Sequence, residues 1–142
     1  MNADTFVDTN VLIYAAAGRR DAPEKYARAW EIIGSGDYGI SAQVLAEFYV
    51  NAVRKPAVPL TVVEAAAWIA DLQTVPVVPI DGGLVAEAVD RSRTHKISYW
   101  DAAIIVAAER LGATTLYSED LNDGQRYGSV TVVNPFRDRA GG

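Results

Sequence analysis

The feature that most constrains the fold is an alternation of short, continuously apolar segments with longer segments of helical character. Strands are predicted at 6–7, 38–40, 75–80, 114–117 and 130–133. Helices are predicted over 11–17, from a start signal at 21–24 to 34, and over 42–54, 61–73, 84–94 and 99–111. Uniformly apolar strands that are joined through helices are typical of parallel sheets covered on both faces. We therefore predict an α/β fold with a mostly parallel sheet of about five strands, and a polar loop at 118–128.

The composition limits the classes of protein that remain. A chain of 142 residues fits one domain, expected at 1–136 with a frayed tail at 137–142. Thirteen Lys and Arg against 18 Asp and Glu give a net charge of −5, which disfavours a nucleic-acid coat protein but not an enzyme that holds nucleic acid through a cation. The chain has no cysteine and a single histidine, His95, which excludes disulfides, thiolate zinc sites and sites with two imidazoles. The longest apolar run, 102–108, is too short to span a membrane, and no targeting segment is recognised, so a cytoplasmic location is expected.

Four acidic residues stand where a parallel sheet collects functional groups. Ligands of such sheets lie beyond the carboxyl ends of the strands. Asp8 directly follows the first strand, and Asp120 follows the strand at 114–117. Glu47 lies within the helix that follows the strand at 38–40, and Asp101 lies in the first turn of the most apolar helix. The topology therefore predicts that these acids meet at one edge of the sheet.

Each acid also has a simpler structural explanation. Asp8 could cap the helix that follows it, and Ser98 with Asp101 resembles a capping box. Asp120 lies in a polar loop, where carboxylates are usually solvated. Glu47 is harder to explain in this way, because its neighbours are apolar and an unpaired carboxylate beside them is costly.

The four acids together are a stronger indication than any one of them. Carboxylates gathered in one pocket raise one another's pKa unless a cation compensates their charge. Mg²⁺, with Mn²⁺ as a substitute, prefers oxygen ligands and can activate water against a phosphodiester. The combination predicts metal-dependent phosphodiester hydrolysis.

Four segments carry a family resemblance: FVDTNVLIY at 6–14, SAQVLAEF at 41–48, SYWDAAI at 98–104 and LYSEDL at 116–121. In this order and spacing they resemble the PIN-domain ribonucleases, and among these the VapC-type toxins of type II toxin–antitoxin pairs. The resemblance implies a PIN-like, Rossmann-like three-layer sandwich. It also implies an RNA substrate, a homodimer and a VapB-like antitoxin partner that covers the acid site.

The resemblance further assigns roles to individual residues. It implies that Asp8, Glu47, Asp101 and Asp120 bind Mg²⁺ or Mn²⁺, and that Asn10 and Ser118 support them. The fourth acid has neighbours that could share its role, Glu119 and Asp123. Aligning Ser118-x-Asp120 with the Ser/Thr-x-Asp pattern of the family favours Asp120.

Basic and aromatic residues are further candidates for contact with RNA. Arg91, Arg93 and Lys96 form the densest basic cluster, for which phosphate contact and a solvated surface are equally good explanations. Arg54 and Lys55 are better explained as helix-terminal cations that complement the helix dipole. Four aromatic residues could stack on bases, although aromatic residues at this spacing are usually part of the core: Tyr14, Tyr49, Tyr99 and Trp100.

Two other classes of function remain open at this point. A receiver-type phosphoacceptor or a dehalogenase-type phosphatase also uses an Asp after the first strand with Mg²⁺. The phosphatase requires a second Asp where this chain has Asn10, and a receiver requires a middle-strand Asp, for which Asp81 is the candidate, and a Lys after the last strand, which is missing. The other class is a non-catalytic PIN-like binding module.

Overall fold

The computed structural model describes residues 2–137 and contains a central sheet between layers of helices. The strands are β1 Thr5–Val7, β2 Ile40–Ser41, β3 Val77–Val78, β4 Thr115–Tyr117, β5 Arg126–Tyr127 and β6 Val130–Val133. The helices are α1 Thr9–Ala17, α2 Pro23–Gly34, α3 Ala42–Ala52, α4 Val62–Leu72, α5 Gly82–His95 and α6 Tyr99–Leu111. The predicted tail is outside the described residues from 138 onward. None of the helices in the described part of the chain combines the length and hydropathy needed to cross a membrane.

The prediction of a mostly parallel α/β sheet is confirmed, but the number of strands in it is wrong. The main sheet has four strands in the order β1-β4-β6-β5, with β5 antiparallel, and β2 and β3 form a separate parallel pair. The pair adjoins β1 at Gly39, where the Val7 N–H donates to the Gly39 carbonyl at 3.0 Å and the Gly39 N–H donates to the Thr5 carbonyl at 2.9 Å. The separation arises because β2 and β3 have only two residues each, which leaves a single bridge to continue the sheet.

The strand β5 lies inside the segment that the sequence predicted to be a loop. It pairs with β6 through Tyr127 and Val130, so Gly128 and Ser129 form a two-residue hairpin turn. Gly128 has a φ of +60°, a conformation that glycine adopts without a steric penalty. Gly-Ser between two strands is a recognised hairpin signal, but the polar residues around Arg126 obscured it.

Helix α6 forms the centre of the core. Every residue from Ala102 to Ala108 is buried, and the helix packs against α5 and the sheet. Its first turn is capped by Ser98, whose Oγ accepts a hydrogen bond from the Asp101 N–H at 3.1 Å. The apolar run therefore fixes the position of the N-terminus of α6 against the carboxyl ends of the strands.

Candidate active site

The carboxyl ends of β1 and β4 meet beside the N-termini of α1 and α6. There they border a cleft of about 290 Å³ that all four predicted acids line. Asn10, Gln43, Asn51, Lys55 and Trp100 also line it. The convergence of Asp8, Glu47, Asp101 and Asp120 on one cleft agrees with the topological argument from the sequence.

Asp8 is held at the junction between β1 and α1. Its backbone is extended (φ −80°, ψ 164°), which ends the strand and begins the helix in one residue. One carboxylate oxygen, Oδ1, accepts from the Thr9 N–H at 2.7 Å, and the other, Oδ2, accepts from the Ser118 hydroxyl at 2.8 Å. Asp8 is thus a helix cap and a residue of the cleft at once, so the two explanations of this residue are compatible.

Asp8 is buried in the wall of the cleft. Only 7% of its surface is exposed. The pKa of the Asp8 carboxyl is raised from 3.8 to about 6, chiefly by burial. The hydrogen bonds from Thr9 and Ser118 lower this pKa, and the negative charges of Asp120 and Glu47 raise it. A raised carboxyl pKa in a cleft, with desolvation and specific charges as its causes, is typical of functional sites.

A chain of hydrogen bonds links Asp8 to two of the other acids. The Ser118 hydroxyl, fully buried, also accepts from the Asp120 N–H at 3.2 Å. Asn10 Nδ2 donates to Asp120 Oδ2 at 3.2 Å, and the Thr9 hydroxyl donates to Glu47 Oε1 at 3.0 Å. Thr9 thus joins Asp8 to Glu47, a contact that the sequence analysis did not anticipate because it spans 38 positions of the chain.

Asp101 is positioned by the first turn of its helix. The Asp101 N–H donates the capping bond to Ser98 Oγ, but within residues 2–137 the reciprocal bond that completes a capping box forms in α4 and not in α6. Within residues 2–137, no hydrogen bond or ion pair to the Asp101 carboxylate is present. Among the described residues, the Asp101 carboxylate thus lines the cleft with no hydrogen bond or ion pair that fixes it.

The acids beside Asp120 face elsewhere. Glu119 accepts a hydrogen bond from the Tyr14 hydroxyl at 2.7 Å and forms an ion pair with Lys25. Asp123 accepts from the Asn134 N–H at 2.8 Å and pairs with Arg137 at 3.1 Å. Neither lines the cleft, whereas Asp120 does.

The predicted basic cluster lies outside the cleft. Arg91 forms an ion pair with Glu109 at 2.7 Å, and Arg93 and Lys96 are exposed at the C-terminal end of α5. Among the described residues that line the cleft, the one cation is Lys55. Sequence analysis had attributed Lys55 to the helix dipole, but α3 ends at Ala52, and Lys55 lies beyond its last turn.

Asp81, the acid that a receiver-type site would need, lies outside the cleft. Asp81 caps α5 by accepting from the Leu84 N–H at 2.8 Å, and it pairs with Arg110 at 3.0 Å. It does not line the cleft that contains Asp8. A phosphoacceptor site of this type is therefore not assembled around Asp8.

The oxygen atoms of the cleft suit a hard divalent cation. Asn10 Oδ1 is buried and has no hydrogen-bond partner in the described chain, and the acids contribute only oxygen ligands. Within residues 2–137, no three His, Cys, Asp or Glu side chains already form a ligand set for one ion. Mg²⁺ keeps several of its waters and needs only one or two direct carboxylates, so these residues fit such an ion.

Several solved structures share the fold of this chain. The crystal structure of Mycobacterium tuberculosis VapC20, described as a sarcin–ricin loop cleaving toxin, is 21% identical, with a TM-score of 0.67 over 82% of this chain and 89% of that one. A toxin–antitoxin complex from Klebsiella pneumoniae is 20% identical, with a TM-score of 0.66 over 92% and 97% of the two chains. FitAB bound to an IR36 DNA fragment is 22% identical, with a TM-score of 0.64 over 97% and 99%.

Sequence comparison gives a family. No curated protein sequence matches the chain. The model of the PIN domain matches residues 5–125, which include all four acids of the cleft. Since that match spans most of the chain, the protein belongs to the PIN domain family.

Proposed function

We propose that this protein is a metal-dependent endoribonuclease that hydrolyses RNA phosphodiester bonds, and that Asp8, Glu47, Asp101 and Asp120 form its active site. The observation that carries this proposal is the state of Asp8. A buried carboxyl with a pKa raised to about 6 lies at the sheet edge, in a cleft lined by three further acids. Such an arrangement destabilises the metal-free protein, and a bound divalent cation offsets the repulsion between the carboxylates.

The chain's own residues would hold and orient the site. Asp8, with at least one further acid, would contact Mg²⁺ or Mn²⁺, and Ser118 and Asn10 would fix the acids in place through the bonds to Asp8 Oδ2 and Asp120 Oδ2. When bound, the cation activates water and offsets the charge of the phosphodiester that is cleaved. Lys55 would bind a neighbouring backbone phosphate from the wall of the cleft.

The basic cluster has a more distant role in this proposal. Arg91, Arg93 and Lys96 do not line the cleft, so any phosphate that they contact belongs to RNA that extends past it. Arg91 is also engaged by Glu109. Their contribution would be electrostatic attraction, which weakens with added salt.

Cleavage of a defined single-stranded RNA tests the catalytic proposal. We expect cleavage with Mg²⁺ or Mn²⁺, none with EDTA, and recovery when the metal is returned. Asp8→Asn and Asp101→Asn should abolish cleavage with the fold intact by circular dichroism. Asp37→Asn, which removes an exposed carboxylate outside the cleft, is the matched control. Metal-independent cleavage, or full activity in either cleft variant, would contradict the proposal, and a folded protein without activity would favour a non-catalytic module.

We further propose that the protein is the toxin of a toxin–antitoxin pair and works as a homodimer. The toxin role rests on the fold that the chain shares with structures described as a toxin and as a toxin–antitoxin complex, and the homodimer is what the family resemblance implies. The partner would be a VapB-like antitoxin that covers the acid cleft. Induction of the chain alone should arrest growth, and co-expression with the product of an adjacent short reading frame should restore it. Growth unaffected by the wild-type chain would contradict this role.

A further inference from the structure

A second cavity adjoins the acid cleft and differs from it in chemistry. Its volume is about 440 Å³, and four residues, Gln43, Glu47, Asn51 and Trp100, line both cavities. Its remaining lining is apolar and includes Val50 and Ile80. A ligand strand bound in the acid cleft would therefore extend into this apolar pocket.

Trp100 is the most conspicuous residue of the apolar pocket. It precedes Asp101 in the first turn of α6, and 62% of its surface is exposed, although residues 102–108 of that helix are buried. Val50, in α3, and Ile80, between β3 and α5, are about half exposed. An indole is one of the largest apolar side chains, so its exposure here is not explained by the packing of this chain.

The polar groups of the pocket suit a neutral, flat ligand. Gln43 Nε2 donates to the Trp100 carbonyl at 3.3 Å, which ties α3 to the start of α6. Gln43 Oε1 accepts no hydrogen bond from residues 2–137, and Asn51 adds a second neutral amide. Among the described lining residues the one charge is that of Glu47, an acid, which disfavours a phosphate in this pocket.

We propose that this pocket binds an unpaired nucleobase of the RNA, stacked on Trp100, next to the phosphate held in the acid cleft. This inference rests on the proposed ribonuclease function and specifies its substrate as single-stranded at that nucleotide. Unpaired bases are read by stacking on aromatic side chains and by hydrogen bonds to their edges. Gln43 and Asn51 supply the edge contacts, and Trp100 supplies the stacking surface.

The test measures RNA binding after removal of the Trp100 indole, after removal of one base of the RNA, and after removal of both. Binding is measured by fluorescence titration of a labelled single-stranded hexaribonucleotide in the Asp8→Asn background, in which cleavage is not expected. Trp100→Ala should weaken binding roughly 5- to 150-fold, the range found for loss of one stacked base. Trp100→Phe should stay within about threefold of the parent, because phenylalanine also stacks. Trp30→Ala is the matched control, since Trp30 is also exposed but lines a different cavity.

Hexanucleotides with one abasic position identify the partner of Trp100. At one position, removal of the base should weaken binding to the parent protein as much as Trp100→Ala weakens binding of the intact hexanucleotide. The same removal should weaken binding to the Trp100→Ala protein only slightly further. Equal affinity of Trp100→Ala and parent, or additive losses at every position, would overturn the inference. Sedimentation of the RNA-free proteins adds one outcome: a wild-type dimer that Trp100→Ala turns into a monomer would make this pocket a subunit interface and overturn the inference.

Kinetics separate this inference from the function on which it rests. In the otherwise wild-type chain, Trp100→Ala should raise KM for the hexanucleotide by a similar factor and change kcat less. Unchanged KM in a protein that still needs metal and Asp8 for cleavage would remove the base pocket and leave the ribonuclease intact. Loss of the ribonuclease would instead show as wild-type protein without cleavage, whatever the behaviour of Trp100.

Discussion

Replacing Asp8 by Asn should stabilise the metal-free protein at neutral and alkaline pH. Its folded pKa of about 6 lies above the unfolded value of 3.8, so the folded state binds the Asp8 proton more tightly. Stability is therefore lost as the pH rises from about 4 to 6. The difference of 6 − 3.8 = 2.2 pKa units corresponds to about 3 kcal/mol, at 1.36 kcal/mol per unit.

Asparagine at position 8 can keep the hydrogen bonds that Asp8 makes with Thr9 and Ser118. Its amide oxygen can still accept from the Thr9 N–H, as Asp8 Oδ1 does, and Ser118 remains within reach of the amide nitrogen. The substitution thus removes the buried charge and retains the helix cap. The gain in unfolding free energy at pH 8 should approach about 3 kcal/mol, or roughly 10 °C in Tm for a domain of this size.

Thermal denaturation followed by circular dichroism, in EDTA, tests this reasoning. Asp8→Asn should melt above wild type at pH 8, and the difference should shrink towards zero near pH 4. Asp37→Asn should melt with wild type at both values, because its carboxylate is exposed. A variant that melts at or below wild type at pH 8, or that gains equally at both pH values, would refute the argument. Added Mg²⁺ should then raise the Tm of wild type and not that of Asp8→Asn.

Three smaller predictions concern other parts of the molecule. Gly39→Ala should cost about 1–3 kcal/mol of unfolding free energy in urea titrations, because its Cβ would lie 2.5 Å from the buried Leu111 side chain; an unchanged midpoint would contradict this. Thr61→Ala should cost about 1 kcal/mol by removing the capping box with Glu64, and Thr61→Ser should restore it, both measured in the same titrations. Lys55→Ala should raise KM for RNA and flatten its dependence on salt without lowering the Tm, and an unchanged salt slope would exclude phosphate contact.

The parts of the fold that depend on local rules could be predicted from the sequence. Apolar strands alternating with helices indicated the parallel sheet, and Ser41, Thr61 and Ser98 each cap the helix that was predicted to begin there. The position of Asp8 after β1 and of Asp120 after β4 followed from the rule for strand ends. The extent of β2 and β3 could not be predicted, because it depends on how far neighbouring backbones remain in hydrogen-bonding range.

The features missed by sequence analysis depend on where side chains meet in space. The bond from Thr9 to Glu47 joins two elements that are not adjacent in the chain. Lys55 was explained as a helix-end cation, but its place in the wall of the cleft depends on where α3 ends. The exposure of Trp100 depends on which face of α6 the core covers, whereas its aromatic spacing in the sequence favoured a place in the core.

The proposed reaction requires that the acids share one divalent cation, and anomalous scattering from a crystal soaked in Mn²⁺ measures this directly. We predict a manganese peak in the cleft within ligand distance of an Asp8 carboxylate oxygen and of at least one oxygen from Glu47, Asp101 or Asp120. The peak should be absent from Asp8→Asn crystals treated in the same way. A peak only outside the cleft, or no peak at saturating Mn²⁺ with the cleft open to solvent, would contradict the central claim.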